Sequence, residues 1–277
     1  MENLENKLIQ DNWVTQERLE KARQEASHTR KTVWAMLVKL GFISLDDLCI
    51  FFAQESGIPY IKISNYKINP EVLRALDEDF CRQNIVVPLF KIKDTLYIAC
   101  GNPLDTELLD NILKCIPDNV ELLLAPCASI IQALDAFYGP REKAFELEKL
   151  IIQQGPLKGL AFWRESERLN LVIPVSMKIE DSAVTLPYAL PIDGYTRDIS
   201  YNGTAIGLEV FLYLPKGIHI SLEFRPEHTL LSSGRTIKTK GEIVYCRMEK
   251  GQHYFLGIKF TEITTPARDE LFKLARS

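Results

Sequence analysis

The sequence predicts a multidomain α+β protein: a helical segment, a small α/β unit, and then a six-stranded antiparallel β-barrel with a terminal helix. The length is 277 residues, which is more than one ordinary domain holds. Helical patterns fill residues 1–57, and strands alternate with helices over 58–139. From residue 161 onward, β-rich runs separated by turn residues dominate.

Composition and charge exclude several classes of protein. Hydrophobic residues make up 46% and charged residues 25%, as in ordinary globular proteins, and the net charge of −4 does not suggest DNA or RNA binding. No apolar run approaches the ~20 residues that cross a bilayer, and the charged N-terminus does not resemble a signal peptide. We therefore expect a cytoplasmic protein without membrane insertion. Residues 161–277 carry 15 basic and 14 acidic side chains, so this half is better suited to receive an anion.

The cysteines and histidines do not indicate a metal site. None of the 6 cysteines forms a C-x-x-C pair, and several lie in apolar stretches such as LYIAC and VYC. No two of the 4 histidines have the i, i+4 spacing of a helical metal motif. We expect buried reduced thiols, no metal and no cofactor.

The N-terminal segment 1–57 contains signals for helix ends. Thr15 and Ser44 stand at predicted helix starts, and Gly41 and Gly57 at predicted helix ends. In residues 58–139 we predict strands at IPYIKI, NIVVPLF, TLYIACG and VELLLAP, with helices between and after them. Residues 140–160 are predicted to be a helical connector, which Gly155-Pro156 ends.

The segment 161–277 is predicted to form a closed barrel. Its β-rich runs are LVIPVSMKIED, SAVTLPYAL, TAIGLEVFLYL, HISLEFRP, RTIKTKGEIVYCRME and HYFLGIKFTEI, followed by the amphipathic helix PARDELFKLAR. Closure of such a sheet removes its exposed edges.

Two patterns in this half carry chemistry. Arg164-x-x-x-Arg168 precedes the first strand, and Asp198-x-Ser200-x-x-Gly203 follows at a turn. Arginine pairs bidentately with phosphate oxygens and binds the O6/N7 edge of guanine, while a carboxylate accepts from guanine N–H groups. Each pattern alone also fits a plainer reading. An arginine pair four residues apart is common on solvated helices, and Asp, Ser, Asn and Gly are ordinary turn residues.

In combination, these motifs and the strand pattern resemble the PilZ domain, a family of cyclic di-GMP receptors, over about 161–277. The resemblance implies that cyclic di-GMP is the ligand. The residues implied to contact it are Arg164, Arg168, Asp198, Ser200 and Gly203.

Residues 1–139 resemble the MshEN domain at the N-terminus of type II secretion and type IV pilus ATPases. Some members of that family bind cyclic di-GMP through tandem R-L-G-x-x-L-(V)-x-x-G motifs. Here Thr32 stands at the arginine position of the second copy and Trp34 at its first glycine, although Gly41 is retained. A tryptophan would fill the space that the glycine leaves, so we expect this domain to be a scaffold that has lost nucleotide binding.

We therefore expect a non-enzymatic receptor and adaptor that couples cyclic di-GMP binding to domain rearrangement and to a protein partner in pilus, secretion or motility control. The alternative is a ligand-free adaptor of the pilus or secretion machinery. An enzyme is disfavoured because no G-x-x-x-x-G-K-[ST] string occurs and no histidine is placed to complete a triad with Asp198 and Ser200.

Overall fold

The computed structural model describes residues 2–29, 31–101, 106–116, 119–141, 169–187, 191–226, 236–249 and 253–276. The chain divides into two compact units. The first comprises Met1–Ile63, Pro70–Leu89 and Leu96–Gly159, and the second Ser64–Asn69, Phe90–Thr95 and Leu160–Ser277. Among the described residues, no helix is long and apolar enough to cross a membrane.

Four helices occupy the N-terminal segment 1–57, in agreement with its helical pattern. They are α1 (Glu2–Gln10), α2 (Gln16–Thr29), α3 (Val33–Lys39) and α4 (Leu45–Ser56). Ser44 caps α4 as predicted, because its hydroxyl oxygen accepts a hydrogen bond from the Asp47 amide at 3.0 Å. Gly57 ends α4 in a left-handed conformation with φ = 71°, and Gly41 adopts φ = 68° after α3.

The α/β part contains a three-stranded sheet in the order β1-β2-β3. Its elements are α5 (Pro70–Leu73), α6 (Glu78–Asn84), β1 (Val86–Ile92), β2 (Thr95–Cys100), α7 (Thr106–Cys115), β3 (Asn119–Leu124) and α8 (Cys127–Tyr138). The predicted strand IPYIKI is wrong, since this segment makes one isolated bridge between Tyr60 and Leu124. The helix predicted after Asn69 is interrupted because the Asp77 side chain accepts from the Asp79 amide and starts α6.

Four cysteines are buried in the first unit, as the apolar surroundings predict: Cys49, Cys81, Cys100 and Cys127. Burial raises the pKa of Cys81 to about 12 and that of Cys127 to about 11. All six cysteines are free thiols, and Cys115 is exposed.

The second unit is built on one antiparallel sheet that closes on itself. Its strands are β4 (Leu169–Asn170), β5 (Pro174–Ile179), β6 (Ile192–Ser200), β7 (Gly203–Leu208), β8 (His219–Phe224), β9 (Ile237–Glu249) and β10 (His253–Glu262). The order is β4-β6-β5-β8-β9-β10-β7, and an additional β6–β7 pairing closes the six strands from β6 to β7 into a ring. The predicted six-stranded barrel is thereby confirmed, with the very short β4 beside it. The terminal helix α9 (Thr265–Arg276) packs against β4, β6 and β9.

One barrel strand differs from the sequence-based prediction. The described part of SAVTLPYAL, residues 182–187, is not a strand, and β6 begins only at Ile192. Both segments are partly apolar, so local composition does not decide which of them pairs with β5 and β7. The predicted connector also cannot be compared with the structure, because residues 142–160 lie outside the described ranges.

Candidate functional site

The D-x-S-x-x-G motif forms the hairpin between β6 and β7. Ser200 pairs with Gly203, which leaves Tyr201 and Asn202 as the turn. The Ser200 hydroxyl donates to the Gly203 carbonyl at 3.1 Å. The Asn202 carbonyl accepts from the Phe260 amide of β10 at 2.9 Å. The turn is therefore held from both sides by hydrogen bonds within the protein.

Asp198 lies next to an irregularity in β6. Thr196 pairs with Ile206 and Asp198 with Ala205, so the register skips one residue immediately before the aspartate. Bulges of this kind bend a strand and redirect side chains, often near functional sites. The Thr204 hydroxyl donates to the Asp198 backbone carbonyl at 2.8 Å, and Asp198 is 9% exposed. The carboxylate position is thus set by backbone that is itself hydrogen-bonded.

Gly203 is placed where the backbones of β7 and β10 come close together. A Cβ atom added there would lie 2.1 Å from the carbonyl oxygen of Ile258. The glycine has no positive φ in the structure. A glycine can be required either by a positive φ or by the close approach of another backbone. Here the close approach applies, and the approaching backbone is that of β10 in the same barrel.

The two predicted arginines, Arg164 and Arg168, lie outside the described residues. The chain that follows them is described, and it enters the sheet at the motif. Leu169, the residue after Arg168, pairs with Ile199, and Asn170 pairs with Asp198. The structure therefore brings Asp198, Ser200 and Gly203 together and attaches the segment after the arginines to the same end of β6.

Two residues that the sequence did not single out lie at this hairpin. The Arg268 guanidinium of α9 lies over the Tyr201 ring, 4.7 Å from its centroid. Phe272 packs edge-on against the same ring at 6.1 Å. The sequence could have pointed to Tyr201, because it lies inside the D-x-S-x-x-G motif. Nothing in the local sequence connects Arg268 or Phe272 with this turn, which lies much earlier in the chain.

In the first unit, the residues that replace the second R-L-G-type motif serve the fold. The Thr32 hydroxyl caps α3 by accepting from the Ala35 amide at 3.3 Å. Trp34 is 6% exposed, and its ring packs edge-on against Phe52 at 5.2 Å. The positions of the motif's arginine and first glycine are therefore occupied by a helix cap and by a core side chain.

Within the described ranges, no group of three or more His, Cys, Asp or Glu side chains is arranged to hold a metal ion.

A helical and α/β unit followed by a closed barrel with a D-x-S-x-x-G hairpin defines a protein of two unlike parts. Comparison with known families assigns both parts. Residues 56–144 match the MshEN domain model, and residues 163–277 match the PilZ domain model. The chain therefore contains an MshEN domain followed by a PilZ domain. The MshEN match covers the α/β part and begins at the last residue of α4, so α1 to α3 lie outside it.

Individual relatives resemble one half of the chain or the other. The type IV pilus assembly ATPase PilB of Myxococcus xanthus is 24% identical over 144 residues, which is 52% of this chain and 25% of that protein. The chain thus spans about a quarter of the curated relative's length. A structure of MshE with cdg is 26% identical, covers 49% of this chain and 98% of that chain, and has a TM-score of 0.43.

The barrel half has its own structural neighbours. The PilZ domain with c-di-GMP of YcgR from Escherichia coli is 12% identical, covering 41% of this chain and 88% of that chain with a TM-score of 0.31. The inhibitor of motility MotI/DgrA from Bacillus subtilis is 19% identical, covers 42% of this chain and 50% of that chain, and has a TM-score of 0.33. Because these scores are low, the domain assignment depends on the two family matches.

Proposed function

We propose that this protein is a receptor for cyclic di-GMP, which binds at the PilZ domain through Arg164, Arg168, Asp198, Ser200 and Gly203. The observation that carries the proposal is the β4–β6 pairing. It joins the chain directly after Arg168 to the residues Asp198 and Ile199 of the motif strand. The two motifs, which are well separated in the sequence, are therefore linked by hydrogen-bonded strands.

The residue types at this hairpin suit a nucleotide with two phosphodiester groups. The arginine side chains supply planar forks for phosphate oxygens and for the Hoogsteen edge of guanine. The Asp198 carboxylate accepts from guanine N1–H and N2–H groups. The hydrogen bonds of the turn at Tyr201 and Asn202 hold the backbone of the D-x-S-x-x-G motif in place, which lowers the entropic cost of binding at this part of the site.

Titration calorimetry with cyclic di-GMP tests the proposal. We expect the wild type to bind and Arg164→Ala/Arg168→Ala to lose at least about tenfold in affinity, because each charge-assisted hydrogen bond contributes about 1.5–3 kcal/mol. Arg225→Ala is the matched control. It removes an arginine whose ionic partner is Asp193, at the opposite end of β6 from Ser200. Equal heats from the wild type and the double variant would contradict the proposed site.

A thermal-shift measurement separates a receptor from a ligand-free adaptor. At a nucleotide concentration of 100 times Kd, binding to the folded state stabilises it by about 2.7 kcal/mol, which raises the melting temperature. Absence of any shift would favour the adaptor.

We further propose that the MshEN domain is a scaffold without a nucleotide site of its own. The burial of Trp34 at the position of a motif glycine supports this. If Arg164→Ala/Arg168→Ala still bound cyclic di-GMP at a second site, with the same affinity that the wild type shows there, this proposal would be contradicted.

The proposed output of binding is a change in the connector at residues 140–160, which precedes the arginine pair in the chain. Fixing the arginines on a ligand restrains the segment joined to the connector, and the MshEN domain and its partner then respond. We propose a protein partner in the pilus, secretion or motility machinery. The resemblance of the first half to PilB, named as a type IV pilus assembly ATPase, supports this context.

A further inference from the structure

Arg268 is held against the motif turn by a cation–π contact. Its guanidinium lies 4.7 Å from the centre of the Tyr201 ring. Tyr201 stands between Ser200 and Asn202 and is 48% exposed. An arginine over an aromatic face keeps its in-plane N–H groups available, because the attraction to the ring uses the face of the guanidinium. These donors therefore lie beside the D-x-S-x-x-G hairpin.

One of those donors is buried without a partner. Within the described part of the chain, the Arg268 Nε is a buried side-chain nitrogen with no hydrogen bond. Buried polar groups in native proteins are almost always paired, and an unpaired donor on a charged group is costly. A bound acceptor is one explanation for such a group.

The position of Arg268 in α9 adds to this cost. Its backbone N–H donates to the Thr264 carbonyl at 2.9 Å, so the residue is in the first turn of the helix. That turn contains no acidic residue. Positive side chains are unfavourable at a helix N-terminus, because the exposed backbone N–H groups already carry partial positive charge. The contact with Tyr201 and the following acidic residues Asp269 and Glu270 offset part of this cost, and an anion at the hairpin would offset more of it.

We propose that Arg268 is a further binding residue of the nucleotide site and that it donates to a phosphate oxygen of cyclic di-GMP. This inference rests on the function proposed above. Tyr201 orients the guanidinium, and packing of α9 against β4 and β6 places it at the end of the sheet where the chain following Arg168 enters. Because Nε is buried, a shift of the Arg268 side chain on binding would let a phosphate oxygen of the nucleotide supply the acceptor that Nε lacks.

Binding of cyclic di-GMP to Arg268→Gln and Arg268→Met tests the inference. Methionine keeps an apolar chain of similar length against Tyr201, so at least one variant is expected to fold. We expect both to bind about tenfold more weakly or worse, which is the loss of one charge-assisted contact. The difference from wild type should shrink at high salt, because salt screens the charge.

The control is Arg225→Gln. This variant removes an arginine that follows β8 and forms an ion pair with Asp193, and it should bind cyclic di-GMP like the wild type. Without nucleotide, Arg268→Met should melt at or above the wild-type temperature, since it removes the unpaired buried donor, whereas glutamine keeps an amide donor near the same position. A purely structural arginine would instead lower the melting temperature and leave the affinity of the folded protein unchanged.

The outcomes separate this inference from the proposed function. Wild-type affinity in both Arg268 variants, with loss of binding in Arg164→Ala/Arg168→Ala, overturns the role of Arg268 and leaves the receptor intact. No binding by the wild type overturns both.

Discussion

At the scale of single residues, Gly203 shows how a motif residue can be required by the barrel itself. Its backbone pairs with Lys259 of β10, and a methyl group there would meet the Ile258 carbonyl oxygen at 2.1 Å. The close approach of β10 is therefore a sufficient reason for the glycine of the D-x-S-x-x-G motif. Ser200 behaves similarly, since its hydroxyl is used in closing the turn.

Gly203→Ala should destabilise the protein even without nucleotide. The added methyl group forces β7 and β10 apart, and overpacking of this kind costs about 1–3 kcal/mol. Urea unfolding measures the change. Asn202→Ala, at the neighbouring exposed turn position, is the control and should stay within about 0.5 kcal/mol of wild type. A Gly203→Ala variant as stable as the control would show that the strands can relax around the methyl group.

At the scale of elements, the short strand β4 depends on one side chain of β6. The Thr196 hydroxyl donates to the Leu171 carbonyl and accepts from the Ile173 amide at 2.8 Å. Thr196 is 1% exposed. Because β4 consists of Leu169 and Asn170 alone, this clamp just beyond its end helps to hold the segment that follows the arginine pair.

Thr196→Val should loosen that attachment. Valine keeps the shape but leaves the buried Ile173 amide without the hydroxyl acceptor, which costs about 1–3 kcal/mol. We expect a lower unfolding free energy in urea and, on the proposed function, weaker cyclic di-GMP binding by calorimetry. Thr185→Val removes an exposed hydroxyl whose contact to the Ser182 carbonyl is 3.5 Å long, and it should change neither quantity. Unchanged stability in Thr196→Val would rule out the clamp.

At the scale of the whole molecule, the chain combines an MshEN domain and a PilZ domain, and the connector between them precedes the arginine pair. The proposed coupling needs the ligand to act on that stretch of chain. The sequence has tryptic sites after Lys158 in the connector and after Arg164 and Arg168 of the arginine pair.

Saturating cyclic di-GMP should slow tryptic cleavage at these three sites, because ligand-bound arginines are withdrawn from the protease. Mass spectrometry of the fragments measures the rates. Asp198→Ala keeps all three cleavage sites while removing a proposed ligand contact, so its cleavage rates should not respond to nucleotide. Equal rates with and without nucleotide in a wild type that binds it would contradict the coupling.

Local signals predicted the parts of the fold that short stretches of chain decide. The Ser44 cap and the left-handed Gly57 both occur as predicted, since each depends on residues within one helical turn. The β6–β7 hairpin falls at the predicted turn because Ser200, Asn202 and Gly203 all favour turns. The strand assignment of SAVTLPYAL failed because strand pairing depends on partners far along the chain.

The sequence by itself determined the order of the helical, α/β and barrel segments, the caps, and the position of the D-x-S-x-x-G turn. Each of these follows from side-chain periodicity or from backbone preferences of neighbouring residues. Only the tertiary structure decided that Gly203 is required by β10, that β4 enters beside Asp198, and that Arg268 lies over Tyr201. These contacts join residues distant in the chain, and barrel closure and helix packing bring them together.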